Sequence, residues 1–345
     1  MTYYENTVIK TIEPDRQLPW VEKYRPKQID HIISHKEIIL SLKKFIEKRT
    51  LPHLLFFGPS GSGKTSTIKC CASEIYGLYM DCMILELNAS NERGIETVRT
   101  KIKNFVANKN SIFLPKEIGT IFKLVILDEI DSMTVEAQGM LRQTIEKNSV
   151  TTRFCLICND IDKINPALQS RCASYRFAPL NSSDMKIRLK EICQLEKISC
   201  DKNAIDGIIK ISKGDMRASI NTLQHVKLTV NKKITIENVY RISGHCMPEI
   251  ITNVFNHFIS LSKKKIVLKE CIDKVTDIVI DNNITIFNLL EELKNIVIKS
   301  NFSIVQKIYL IDKFAQNEIY DAVNVEPRSI LMILSSIFVI VSKIK

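Results

Sequence analysis

The densest chemical signal in this 345-residue chain is the run Gly58-Pro-Ser-Gly-Ser-Gly-Lys64-Thr65. It satisfies the spacing G-x-x-x-x-G-K-[ST] without a mismatch. It also follows the apolar run His53–Phe57 and opens a helical pattern, the context such a loop requires. Gly58, Gly61 and Gly63, with Pro59, Ser60 and Ser62 between them, let backbone N–H groups close around phosphate oxygens, and the helix dipole adds to the attraction. Lys64 is spaced to reach the β- and γ-phosphates of ATP, and the Thr65 hydroxyl to hold Mg²⁺.

A second signal is Leu124-Val-Ile-Leu-Asp128-Glu129-Ile-Asp131, an apolar strand ending in acids. Downstream of an intact phosphate loop, Asp128 is assigned to Mg²⁺, mostly through water, and Glu129 to polarising the attacking water. Asp131 reads either as a further acid of this edge or simply as a cap of the following turn. Asn159 ends the next apolar run, Arg153–Cys158, where an amide can orient water beside a γ-phosphate or simply form a turn.

These side chains need a frame that brings distant segments to one edge. Candidate strands are His53–Phe57, Met83–Leu87, Lys123–Leu127, Arg153–Cys158 and Tyr175–Phe177. Helical patterns at Thr65–Tyr76, Gly94–Ala107 and Thr134–Lys147 alternate with them, as in a parallel α/β sheet. After Pro179 the pattern turns helical, with Ser182 and Ser183 as candidate caps for a helix running through Met185–Glu196. The reading divides the chain into an α/β nucleotide-binding domain at residues 1–180, a helical lid at 181–244 and an all-α domain at 245–345. The third domain is expected to pack against partners.

Composition narrows the class. Hydrophobic residues at 45% and charged residues at 25% suit a globular chain rather than a disordered one. The net charge of +11 favours a polyanionic partner, because basic side chains release counterions from phosphates. The ten cysteines are scattered, and the one CxxC, Cys155 to Cys158, lies inside an apolar strand with no second Cys/His pair nearby to complete a zinc site. Reduced thiols and the absence of a signal segment give the expectation of an intracellular protein. The apolar stretch Ile330–Val341 is far shorter than the roughly 20 residues that span a bilayer, so a buried helix is expected and no membrane partner.

The motifs, taken in order, resemble one family. Leu18-Pro-Trp-Val-Glu-Lys-Tyr-Arg-Pro26, Leu87-Asn-Ala-Ser-Asn-Glu-Arg93-Gly-Ile95, Pro166-Ala-Leu-Gln-Ser170-Arg171-Cys172 and Gly214-Asp-Met-Arg217 are similar to boxes of the replication factor C small subunits, AAA+ ATPases of clamp loaders. Ile33-Ser-His35, Arg153–Asn159 and Ser243-Gly-His245 make the chain most similar to the branch numbered five in vertebrates and three in yeast. Bacterial clamp loaders match less well, since their zinc-binding cysteines have no counterpart. The resemblance implies an AAA+ domain with a lid, then a C-terminal helical collar. It implies that Val21, Tyr24, Arg25, Pro26 and Ile33 cradle adenine and ribose, and that Arg217 touches phosphate in cis. Arg171 would serve as an arginine finger for the neighbouring subunit's ATP, and Arg93 would contact a DNA phosphate. Taken singly, each of these arginines also reads as a solvated surface charge.

The resemblance further implies a nuclear heteropentamer of one large and four small subunits, acting in replication and repair. Its partners would be the other subunits, alternative large subunits, the sliding clamp and primer–template DNA. The competing reading is a structural subunit that binds ATP and donates Arg171 but hydrolyses little. The chain departs from the family pattern at Ser60 and Ser62, where Pro and Thr are usual, at Ile130 and at Gly139 and Gln143. The last two bear on how DNA contact is coupled to hydrolysis. Ile112-Phe113, in an apparent insertion, reads equally as a clamp-docking pair or as a loop folded on its own core.

Overall fold

The computed structural model describes residues 18–90, 95–107, 122–230, 233–263, 266–282, 284–323 and 325–344. Two compact units divide the chain. One runs to Ser199 and includes Ile208–Gln224; the other comprises Cys200–Gly207 and His225 onward.

The first unit is built on five strands: β1 (Leu54–Phe57), β2 (Ile84–Asn88), β3 (Lys123–Asp128), β4 (Thr152–Cys158) and β5 (Ala173–Arg176). All pair in parallel, in the order β2-β3-β4-β1-β5. Each strand expected from the sequence is present within a residue or two of its bounds. The expected Tyr175–Phe177 begins earlier, because pairing with Leu54 starts at Ala173. The helices that matter here are α1 (Trp20–Lys23), α2 (Lys36–Glu47), α3 (Lys64–Tyr76), α4 (Ile95–Ala107), α5 (Val135–Asn148), α6 (Pro166–Gln169), α7 (Ser182–Leu195), α8 (Lys202–Ser212) and α9 (Met216–Thr229).

The period-two alternation of strand side chains sorts the apolar residues onto two faces, as a sheet covered on both sides requires. Leu54, Phe56, Ile126, Cys155 and Ile157 pack with Leu42 of α2 and with Ile68, Cys71 and Tyr76 of α3. Leu55, Val125, Leu127, Leu156 and Cys158 pack with Ile102 of α4 and with Leu141 and Ile145 of α5. Cys155 and Cys158 therefore face opposite layers and cannot grip one ion together. Burial pushes the Cys158 thiol up to about 12 and raises Cys155 well above the usual thiol range.

Helix entry follows local chemistry. The Thr134 hydroxyl accepts from Ala137 N (3.3 Å) to cap α5, and Asn165 Oδ1 accepts from Ala167 N (2.8 Å) ahead of Pro166. The expected caps Ser182 and Ser183 are instead the first helical residues of α7. Asn181, with extended backbone angles, takes the cap position without a side-chain bond.

In the second unit five helices follow one another: α10 (Pro248–Ser262), α11 (Leu268–Asp281), α12 (Ile286–Lys299), α13 (Ile304–Ala322) and α14 (Pro327–Val341). Phe338 of α14 stacks on Phe258 with ring centroids 5.0 Å apart, and Phe255 and Phe314 lie at 5.9 and 6.1 Å. The stretch Ile330–Val341 is thus a buried core helix, and its Ser335 hydroxyl satisfies itself on Leu331 O (2.8 Å). Among the described residues no helix is long and apolar enough to cross a membrane.

Candidate functional site

Register places the chemistry. Phe57 pairs with Cys158, so the phosphate loop leaving β1 stands level with Asn159 leaving β4. Leu127 pairs with Leu156, which sets Asp128 one step short of the same edge. Ligands of open α/β sheets bind at this carboxyl edge, where the strand order reverses.

Gly58, Gly61 and Gly63 adopt φ of +143°, +64° and +98°, which β-carbons disfavour. A Cβ at Gly58 would meet Phe177 O at 2.0 Å, and one at Gly61 would meet Asp215 Oδ1 at 1.8 Å. Lys64, 7% exposed, donates to Gly58 O (2.7 Å), Pro59 O (2.8 Å) and Asn159 Oδ1 (3.1 Å). Its burial lowers the ammonium's pKa, with Asp128 opposing that shift. Thr65 Oγ1 donates to Asp128 Oδ2 (2.8 Å), and Asp128 Oδ1 accepts from Glu129 N (2.9 Å). Glu129 is exposed and sits in the left-handed region at φ +57°. For a non-glycine residue that conformation costs roughly 1–2 kcal/mol, the kind of strain that persists where function holds it.

Of the two readings of Asp131, a cap of the following turn is not what its carboxylate shows. Instead its Oδ2 reaches across to accept from Asn159 N (3.1 Å) and Asp160 N (3.3 Å), fixing the loop that carries Asn159.

One cleft is lined by Ser60 through Thr65, Asp128, Glu129, Asn159 and Arg217. Val21, Tyr24, Arg25, Pro26 and Ile33 line it as well, so the segment singled out by family resemblance lies beside the phosphate loop. Residues around α7 and α9 anchor that segment. Glu196 accepts from Lys23 Nζ (2.6 Å) and from the Tyr24 hydroxyl, Arg188 Nη2 donates to Tyr24 O (2.8 Å), and Trp20 N donates to Gln224 Oε1 (3.1 Å). Burial, followed by the bond to Glu196, raises the Tyr24 phenol's pKa. Sequence reasoning missed Ser34, Leu180, Arg188, Met216 and Ile220, which also line the cleft. Ser34 and Met216 stand inside runs that carry the family resemblance but received no role there, whereas Leu180, Arg188 and Ile220 come from segments without a local signature.

Arg171 is not among the described residues that line this cleft. Arg171 pairs with Glu146 (2.5 Å) and donates to Ala167 O (2.7 Å), about one-third exposed. Arg93 and the pair Ile112-Phe113 lie outside the described residues.

Comparison with known proteins gives the lineage. The model for "ATPase family associated with various cellular activities (AAA)" matches residues 54–180. A putative replication factor C small subunit from Acanthamoeba polyphaga mimivirus is 70% identical over the full length of both chains. The chain belongs to the replication factor C small-subunit family. Human replication factor C subunit 5 is 40% identical, with 88% of this chain and 86% of that one aligned. Subunit 3 of Schizosaccharomyces pombe is 41% identical over 85% and 88%. A solved structure of a RuvB variant from Thermotoga maritima shares the fold at a TM-score of 0.50 and 20% identity, covering 63% of this chain and 71% of that one. The fold is that of a P-loop AAA+ domain with a helical lid and an all-α C-terminal region, and the protein is an ATPase of this class.

Proposed function

We propose that this chain is an ATP-hydrolysing subunit of a clamp loader, acting within a ring of replication factor C subunits during DNA replication. The observation that carries this reading is the convergence of Lys64, Thr65, Asp128, Glu129 and Asn159 on one cleft. A subunit that only bound nucleotide for stability would be free to lose Glu129 and Asn159.

In the cleft, the loop amides and Lys64 receive the phosphates, while Val21, Tyr24, Arg25, Pro26 and Ile33 receive base and ribose. The hydroxyl of Thr65 and the carboxylate of Asp128 form a hard-oxygen pair that fits Mg²⁺, which keeps most of its shell as water and phosphate oxygen. The ion would neutralise phosphate charge. Glu129 would take the proton of the attacking water, Asn159 would orient that water, and Arg217 would touch phosphate from the lid. Outside its own cleft, Arg171 would exchange its pairing with Glu146 for a phosphate held by a neighbouring subunit.

The wider reading includes three domains at 1–180, 181–244 and 245–345, with the last assembling the ring. It also includes one large and three other small subunits, alternative large subunits, a sliding clamp, backbone contact with primer–template DNA through Arg93, a role in repair and a nuclear location. Phosphate contacts suit a loader, which must act at any sequence. The test is purification of the chain with its native partners and assay of clamp loading onto primed DNA. Recovery with replication factor C subunits and ATP-dependent loading are expected. A homogeneous complex of unrelated chains would refute the assignment.

A further inference from the structure

We propose that Ser60 and Asp215 form a latch that ties the phosphate loop to α9 and so positions Arg217 over the nucleotide. This rests on the reading that the cleft binds ATP with Arg217 against its phosphates.

Both oxygens of the Asp215 carboxylate are in use. Oδ2 accepts from the Ser60 hydroxyl (2.9 Å), and Oδ1 accepts from Ala218 N (2.9 Å), capping α9. One carboxylate therefore bridges the loop and the first turn of the helix carrying Arg217, two residues on. The loop is shaped to admit it: Asp215 Oδ1 occupies the space a side chain at Gly61 would take. Met216 N also points at Gly61 O, at 3.4 Å. Asp215 thus sets where the first turn of α9 stands relative to the phosphate loop.

The hydroxyl half of the latch depends on the residue type at position 60. An alanine or a proline there has no side-chain donor and would leave Asp215 Oδ2 without this partner. Ser60 adds a charge-assisted bond to the backbone contact, so it should hold Arg217 in register more firmly than the backbone contact does alone. Because Arg217 would act on the terminal phosphate, the latch should favour ATP over ADP.

The test is equilibrium binding of labelled ATP and ADP to the full-length chain. Arg217→Ala checks the underlying reading and should lower the ATP-over-ADP preference. If the unmutated chain binds no ATP, or Arg217→Ala leaves the preference intact, that reading fails and the latch falls with it. Given both, Ser60→Ala should weaken ATP binding about two- to tenfold, the range of one net hydrogen bond, with a smaller effect on ADP. Ser60→Thr keeps the hydroxyl and should restore the preference. Asp215→Ser retains a cap acceptor but is too short to reach Ser60, and should reproduce the loss. Ser60→Ala added to it should then change nothing more, since both remove one interaction. Equal weakening of ATP and ADP, tighter ATP binding, no change on Ser60→Ala, or additive effects in the double variant would each overturn the latch.

Discussion

Asp131→Ala offers the sharpest test of how the site is held. Asp131 Oδ2 accepts two backbone donors, Asn159 N at 3.1 Å and Asp160 N at 3.3 Å. A net hydrogen bond contributes about 0.5–1.5 kcal/mol, more when the acceptor is charged and less when water can compete. Asn159 is exposed and the second bond is long, so the pair together is expected to be worth about 1–2 kcal/mol. At about 1.4 kcal/mol per factor of ten, local opening of this loop should become roughly five- to thirtyfold easier in Asp131→Ala. Amide hydrogen exchange at Asn159 and Asp160 reads that opening directly, and should accelerate by that factor while amides within β1 stay protected. The loop also presents Asn159 Oδ1 to Lys64, so kcat in the assembled complex should fall, by at most that factor. ATP affinity should change little, because Lys64 keeps Gly58 O and Pro59 O. Asp131→Asn retains an acceptor oxygen and should lose less. Unchanged exchange at Asn159 would refute the structural claim. Faster exchange with unchanged kcat would refute the catalytic placement of Asn159.

Four further perturbations separate the parts of the account. Lys64→Ala should abolish detectable binding of labelled ATP while circular dichroism stays the same, whereas Glu129→Gln should bind ATP and hydrolyse it slowly. Phe338→Ala removes the ring stacked on Phe258 and should cost about 3–5 kcal/mol in the helical second unit, seen as an earlier transition in urea. Burial, with Arg153 nearby, depresses His53 to about 4, and its Nδ1 accepts from Phe154 N (3.2 Å). The unfolded chain, with an ordinary histidine near 6.5, then binds more protons between about pH 6.5 and 4, so stability falls as pH drops through that window. His53→Asn should flatten part of that loss in thermal melts, leaving the share due to His35, which burial also lowers.

Legibility tracked the distance over which a signal acts. The phosphate loop and the acidic end of β3 were readable because their chemistry lies within one strand–turn–helix unit, and short continuous apolar runs found the five described strands. The role of Asp131 stayed open in the sequence because its partners lie 28 and 29 residues away, across the sheet edge. Gln138 posed the same problem. It is 2% exposed, donates to Lys163 O (3.0 Å) and accepts from Asn165 N (2.7 Å), joining α5 to a loop no helical pattern could indicate. The Leu18–Pro26 segment has no intrinsic nucleotide chemistry, and only resemblance pointed to it. Its anchors Arg188, Glu196 and Gln224 come from elements more than 160 residues further along the chain.

The claim that this ATPase works as one member of a ring is tested most directly by comparing ATP turnover of the chain alone with turnover in the reconstituted complex. An arginine finger contributes roughly 10³–10⁵ in rate in well-studied P-loop systems. The isolated chain should therefore bind ATP yet turn it over very slowly, and assembly with its partner subunits should raise the rate by orders of magnitude. In the complex, Arg171→Ala should leave ATP binding by this chain unchanged while silencing hydrolysis at the adjacent subunit's site, located by pairing it with hydrolysis-dead variants of each partner in turn. An isolated chain that hydrolyses ATP as fast as the complex, or an Arg171→Ala variant that silences only its own site, would contradict the account.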